Sequence, residues 1–420
     1  MKESKVSDFS TLIGIDWADK KHDICERTLD HKGYQYSVIS SSPKSIHGWA
    51  IDLKSRHPNK PVAVACELQK GPLIYALAKY EHIVLFPINP STVAKYRDAF
   101  THSGAKDDPS DARIQTEILE NHMHKLRPIN PDTADIRALT QHVENRRKLV
   151  QGRVDLTNKI TAILKNYFPQ ILEWFPEKDT VIFCDFLSKW STLSSAKKAR
   201  KSTLLSFFNQ HNSRYPEANE RRIEAIKEAV ELTDDRAVIE PNKLMIEIFI
   251  LQLKLLIESI LQMDKVIRKH YLAQSDSVIF DSLPGAGPKL APRLMAAMGS
   301  NRDRYENAAE IQKYVGVAPV IERSGQKSWT HWRYSCPKFL RQTFVEWAGH
   351  SIKYSFWAKA YYYQQIEKGK LHNTVIRSLA FKWIRILFKC WKERKHYDES
   401  KYLEALKAKG SPLLNYAVNG

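Results

Sequence analysis

Two short apolar runs, each ending in a carboxylate, constrain this chain more than any other feature. Leu12-Ile13-Gly14-Ile15-Asp16 and Pro61-Val62-Ala63-Val64-Ala65-Cys66-Glu67 carry no polar alternation before their terminal acid. Runs of this kind read as strands covered on both faces, in the middle of a sheet flanked by helices. Packing gives no reason for an acid to follow either one. If the strands are neighbours, Asp16 and Glu67 emerge side by side as candidate ligands for a divalent cation. The competing reading of Asp16 is a turn cap ahead of Asp19 and Lys20, and one acid after one strand does not separate the two.

The residues around these runs predict an alternation. His22 to Leu29 and Tyr34 to Ser40 read as strands joined at Lys32-Gly33, which makes an antiparallel start. Ser42-Pro43 opens a helix through Trp49 and Leu53; a helix from Leu73 to Tyr80 and a strand from Ile83 to Pro87 follow. Lys106-Asp107-Asp108-Pro109-Ser110-Asp111-Ala112-Arg113 is a good helix start, with Asp108 as N-cap and Pro109 in the first turn. Acids three apart there also share one face and could share a cation. The order β-β-β-α-β-α-β-α is what an RNase H-like fold needs to gather Asp16, Glu67, Asp108 and Asp111 over one sheet edge. Four carboxylates repel one another, and divalent cations relieve the repulsion. Two Mg²⁺ about 4 Å apart would stabilise the attacking and leaving oxygens of a phosphodiester.

Charge points to the same substrate. The 420 residues hold 65 Lys and Arg against 47 Asp and Glu, a net +18 spread through the chain, so the expected partner is a polyanion, first of all nucleic acid. No long uncharged apolar stretch and no signal-like start is seen, which argues against a membrane and places the expected protein in the cytoplasm, with the nucleoid. Cys25, Cys66, Cys184, Cys336 and Cys390 form no CxxC pair, so zinc-ribbon and disulfide-framework readings both fail.

The middle of the chain predicts two long helices. From about Pro131 to Phe168, Val143, Arg147, Val150, Val154, Thr157, Thr161, Leu164 and Phe168 alternate steps of three and four. A second helix starts at Pro241 and carries Ile246, Phe249, Leu253, Leu256, Ile260, Met263 and Ile267 in the same spacing. Such seams want a partner helix, within the chain or in another copy. Residues 175 to 240 are Lys- and Ser-rich and helical in flavour, with no assignable role.

In the last third, Pro284-Gly285-Ala286-Gly287 resembles a helix-hairpin-helix turn, whose glycines let backbone amides approach phosphate; an ordinary helix connection is the commoner explanation. Arg323, Gly325, Lys327, Trp329, Trp332, Arg333 and Arg341 interleave cations with aromatics, which suits phosphate contact and stacking on unpaired bases. Ser324, beside Gly325, is placed where a phosphate could be bound or attacked, although Ser-Gly is also a simple turn.

Taken in order, Gly14-Ile15-Asp16, the strand ending in Glu67, Asp108-x-x-Asp111-Ala112, Pro284-Gly285-x-Gly287 and Gly316-Val317-Ala318-Pro319 leading to Ser324-Gly325 resemble the DEDD transposases often called the IS one-ten family. The resemblance covers nearly the whole chain. It implies a RuvC-like domain (1–127), a coiled-coil connection built on long helices (128–274), a mostly helical transposase domain (275–400) and a tail (401–420). It further implies that Asp16, Glu67, Asp108 and Asp111 bind Mg²⁺, or Mn²⁺, and that Ser324 is the nucleophile of a covalent phosphoserine intermediate in an Mg²⁺-dependent recombinase. The implied partners are donor and target DNA, a structured bridge RNA that guides the enzyme, and further copies of the chain as a dimer or tetramer. One departure is Asp107, where the family more often has an uncharged residue. A RuvC-type junction nuclease that works by hydrolysis and a non-catalytic nucleic-acid scaffold are the alternatives.

Overall fold

A computed structural model describes residues 4–30, 33–67, 70–100, 108–211, 213 and 215–416. The chain divides into two compact units, Met1–Pro131 and Asp132–Gly420. Among the described residues no helix is long and apolar enough to cross a membrane.

The first unit is a mixed α/β layer structure. Its elements are β1 (Thr11–Trp17), β2 (Lys21–Thr28), β3 (Gln35–Ser40), α1 (Pro43–Arg56), β4 (Val62–Cys66), α2 (Pro72–Leu77), β5 (Ile83–Pro87), α3 (Pro90–Phe100) and α4 (Asp108–His122). Lys32, of the expected β2–β3 turn, lies outside the described residues, as does Asp107. α3 stands between the last strand and the acid-bearing helix, an element absent from the expected alternation. The sheet runs β3-β2-β1-β4-β5. β1 pairs antiparallel with β2 and parallel with β4, so the two apolar runs are central neighbours.

Strand alternation sorts the core into two faces. Ile13, Ile15, Val64 and Cys66 pack with Ile46, Trp49 and Leu53 of α1. Leu12, Ala63 and Ala65 face the other way, onto Ile114, Ile118 and Leu119 of α4. Between them Gly14 lets the helix backbone touch the strand: a Cβ there would stand 1.9 Å from the Ala112 carbonyl oxygen. Thr116, one turn on, donates to the carbonyl of Cys25 at 3.0 Å and fixes the helix to β2 as well.

The second unit is helical apart from one hairpin. α5 (Ala134–Tyr167) is followed by the short α6 (Ile171–Trp174), α7 (Val181–Lys189), α8 (Leu193–Lys198), α9 (Lys201–Gln210) and α10 (Pro216–Glu228), then by α11 (Arg236–Leu272). Next come α12 (Ser277–Asp281), α13 (Gly287–Met298), α14 (Ala308–Tyr314), the strands β6 (Val320–Ser324) and β7 (Lys327–His331), and α15 (Lys338–Ser351), α16 (Phe356–Glu367), α17 (His372–Glu393) and α18 (Glu399–Ala408).

α5 and α11 fill each other's seams within the chain. Ile136, Leu139 and Val143 meet Ile267 and Tyr271 in one core, while Leu156, Ile160 and Leu164 meet Ile246, Ile250 and Leu253 in another, so the helices run antiparallel. Arg146 also pairs with Asp264 across them. The seam expected through Val154 is corrected, because Val154 is exposed and Leu156 is buried in its place. α11 begins five residues before Pro241, at Arg236, capped by the Asp235 side chain. The short helices of 175–240 acquire a role: Phe175, Phe183, Phe186, Trp190, Phe207 and Phe208 build the second core against the carboxyl-terminal part of α5 and the first half of α11.

Two glycine substitutions should move stability in opposite directions. Gly14→Ala forces strand and helix backbones apart and should lower the unfolding free energy by roughly 3 kcal/mol or more. Gly48→Ala, in the exposed middle of α1 with nothing near the added methyl, should raise it by roughly 0.5–1 kcal/mol. Urea unfolding of both variants checks the pair.

Candidate active site

The placement of the acids follows from register. Ile15 of β1 pairs with Cys66 of β4, so the next residues, Asp16 and Glu67, leave the sheet together at its carboxyl edge. Asp16 shares strand parity with Leu12 and Gly14, and Glu67 with Ala63 and Ala65, so both point toward the α4 face. α4 brings Asp108 and Asp111 there in its first turn; Asp108 is exposed and Asp111 is 4% exposed.

Electrostatics reports the same convergence. The Asp16 carboxyl is pushed up to about 6, first by burial and then by the negative charges of Asp111, Asp108, Glu67 and Asp23. The other three expected acids therefore all act on Asp16. Asp23 is a fifth. A two-residue turn at Asp19-Lys20 puts Asp23 directly opposite Asp16 in the β1–β2 ladder, on the same face of the sheet.

Two cations temper this field. Arg97 of α3 bonds the buried Asp111. Lys21 holds Asp23 at 3.0 Å and reaches Asp108 at 3.9 Å. Among the described residues no three His, Cys, Asp or Glu side chains are grouped as a site that could hold a metal ion. The donor chemistry nevertheless suits a divalent cation, with hard oxygen ligands and a half-buried Asp16 carboxyl raised by its like-charged neighbours. One helical turn beyond Asp111, Gln115 is fully buried and neither of its amide atoms finds a hydrogen-bond partner among the described residues. Gln115, Asp23 and Arg97 escaped sequence reasoning. Only Asp23 had a readable signal, the two-residue hairpin.

The expected nucleophile lies in the second unit. Ser324 and Lys327 close the β6–β7 hairpin around Gly325 and Gln326, and Gly325 takes φ +57°, the left-handed conformation that the first position of a tight II′ turn demands. Ser324 is thus fully presented at a hairpin tip with Arg323 and Lys327 beside it, and among the described residues nothing hydrogen-bonds its hydroxyl. Farther down the ladder Glu322 accepts from Trp329 Nε1 at 2.8 Å and binds His331 at 2.7 Å, which ties up the near carboxylate and imidazole.

Trp332, Arg333 and Arg341 form one group at the hairpin's base. The Arg341 guanidinium lies 4.5 Å from the Trp332 ring centroid and donates to the Arg333 carbonyl at 3.0 Å. Gly285 needs no ligand to explain it. An added Cβ would stand 2.8 Å from the backbone of His350 and Ser351, so it is a packing contact under α15. Gly287, at φ +54°, opens α13 with no neighbour close to where a side chain would go.

Comparisons with known proteins cover both units. A family model described as "Transposase", of the IS110 DEDD type, matches residues 13–169, and one described as "Transposase IS116/IS110/IS902 family" matches residues 277–363. The chain is 28% identical to the mini-circle putative transposase for IS117 of Streptomyces coelicolor, over 93% of this chain and 96% of that protein. It is 23% identical to the uncharacterized 44.8 kDa protein of insertion element IS116 from Streptomyces clavuligerus, over 83% of each. With two models of one family spanning more than half of the residues and a full-length relative beside them, the chain belongs to the IS110 family of insertion-sequence transposases.

Proposed function

We propose that this transposase is an RNA-guided, Mg²⁺-dependent DNA recombinase that cuts through a covalent serine intermediate, with an RNase H/RuvC-like first unit and an assembly of several copies. The observation that carries the reading is the raised Asp16 carboxyl on β1, whose neighbours Asp23, Glu67, Asp108 and Asp111 come from β2, the end of β4 and the first turn of α4. The strand order β3-β2-β1-β4-β5, with the acids at the carboxyl edge of β1 and β4, supports the RuvC-like assignment.

Asp16, Glu67, Asp108 and Asp111 would hold the metal, which when bound supplies Lewis-acid stabilisation to the phosphodiester oxygens. Ser324 Oγ loses its proton and bonds to phosphorus. The bond from phosphorus to the next sugar oxygen breaks, and that oxygen leaves carrying a proton. A hydroxyl of another strand then reverses the step and frees the serine, so the bond energy is kept for strand exchange. Arg323 and Lys327, flanking the serine, would hold the phosphate, and Gly325 lets its backbone come close. Trp329, Trp332, Arg333 and Arg341 suit an unpaired strand nearby. The competing reading is direct hydrolysis, and the exposed Ser324 hydroxyl, with no base bonded to it among the described residues, favours that reading.

A nicked suicide substrate separates the two. The wild type should trap a protein–DNA adduct that Ser324→Ala lacks, and Asp16→Asn should lower cleavage about a thousandfold or more. Undiminished cleavage by Ser324→Ala would leave hydrolysis as the mechanism.

The metal has a readout that needs no DNA. In chelator, the Asp16 carboxyl, raised from 3.8 to about 6, stabilises the fold fully below about pH 4 and loses that contribution as pH rises through about 6. Asp16→Asn should therefore melt a few degrees above the wild type at pH 7.5, with the gap closing toward pH 4. Millimolar Mg²⁺ or Mn²⁺ should raise the wild-type melting temperature at pH 7.5 and leave Asp16→Asn unmoved.

A further inference from the structure

The second unit contains a cavity of about 560 Å³ between the segment Gly316–Pro319, the hairpin base at Thr330–Arg333 and one face of α17. The α17 wall is a stripe at helical spacing, Thr374, Arg377, Ser378, Phe381, Lys382 and Arg385. With Arg333 from the hairpin, four cations line the cavity, and among its described lining residues none is acidic.

Two of these cations, Arg377 and Lys382, are steadied by rings. The Arg377 guanidinium lies 3.9 Å from the Trp332 centroid, and Lys382 Nζ lies 4.8 Å from that of Tyr361. Ring faces orient a cation but leave its charge uncancelled. Accordingly, burial and then Arg385 hold the Lys382 amine below its ordinary range, and burial and then Arg341 do the same to Arg377. An anion would relieve both. The wall is also fixed in place: the Gln312 amide of α14 donates to the Phe381 carbonyl at 2.7 Å.

Phosphate alone is too small an occupant. A cavity of about 560 Å³ falls among sites that enclose a small organic ligand, roughly 300–1,000 Å³. Beside the cations its lining offers apolar and aromatic surface from Val317, Ala318, Tyr361 and Phe381 and the hydroxyls of Thr330, Thr374 and Ser378. Cations beside aromatic rings in one cavity match the phosphate and the base of a nucleotide.

We infer that this cavity takes one unstacked nucleotide of a DNA strand, its phosphate on Arg377, Lys382 and Arg385 and its base against Tyr361, Phe381 and Val317. The inference rests on the reading of the chain as a DNA-acting transposase and adds to it a residue set on α17 that no motif of the chain signals. Taking a base out of its stack exposes the neighbouring phosphodiester and selects for strands that are already unpaired or distorted.

The test uses the full chain and fluorescence anisotropy with labelled DNA: a short single strand, a duplex with one unpaired nucleotide, and the fully paired duplex. Wild type is compared with Arg377→Gln/Lys382→Gln and with Thr374→Glu, which adds a negative charge at the exposed rim without touching the core; melting curves confirm the fold of each. Wild type should prefer the duplex with the unpaired nucleotide about tenfold over the paired one, and both variants should lose that preference. Their single-strand affinity should fall about tenfold, and the salt slope by about 0.7 for each phosphate the variant no longer neutralises. Unchanged preference and slope in both variants overturn the inference, including the case where adenosine monophosphate binds the wild type and not the variants, which would make the occupant a free nucleotide. Wild type that binds none of the three DNAs would sink the transposase reading itself; normal binding that ignores the cavity variants sinks only the inference.

Discussion

The close approach of α4 to β1 at Gly14 is the contact on which the first unit depends. Helices usually stand off a sheet by the thickness of their side chains, about 10 Å between axes and strands. Here the missing Cβ lets the Ala112 carbonyl settle onto the strand, and Thr116 bonds across to β2. The approach fixes the helix in translation as well as in angle. Because Asp111 precedes Ala112, and Asp16 lies two residues past Gly14 on the same face, one packing contact sets the distance between the acids of the helix and the acids of the sheet.

That arrangement works against the fold and is held by apolar burial elsewhere. Like charges directly opposite in a ladder, as Asp16 and Asp23 are, destabilise a sheet. The unit absorbs part of the repulsion with Arg97 on Asp111 and Lys21 on Asp23, and leaves Asp16 to carry the rest as a raised carboxyl. Asp16 follows five buried residues of β1. Arg97 holds Asp111 in position, and Lys21 holds Asp23 and reaches Asp108.

Much of this was legible from residue order, and the failures have physical causes. Asp16 and Glu67 could be read because an acid that ends an all-apolar run violates the pattern of a buried strand. Asp111 could be read with less force, since capping explains an early helical acid equally well. Asp23 already lay in the expected strand from His22 to Leu29, but only the two-residue turn at Asp19-Lys20 fixes the register that sets it opposite Asp16. Gln115 and Arg97 were hidden because burial of a lone polar residue on a helix leaves no trace in spacing. The α5 seam was misread at Val154 for a different reason. The helix leaves one core after Val143 and enters another at Leu156, and its buried face turns by about one position between them. A single period carried through such a junction must fail on one side of it.

The second unit uses charge in the opposite way. Around Trp332 and Tyr361, cations are held by ring faces, and among the residues lining the cavity no acid cancels them. An acid partner would have stabilised each arginine more, yet it would also have competed with phosphate for the same donors; an aromatic face orients the guanidinium and leaves its edge free. The same logic separates Ser324 from the residues around it. Glu322 and His331, the pair that could have served as base and orienter, are bonded to each other and to Trp329, so they brace the hairpin rather than activate the serine.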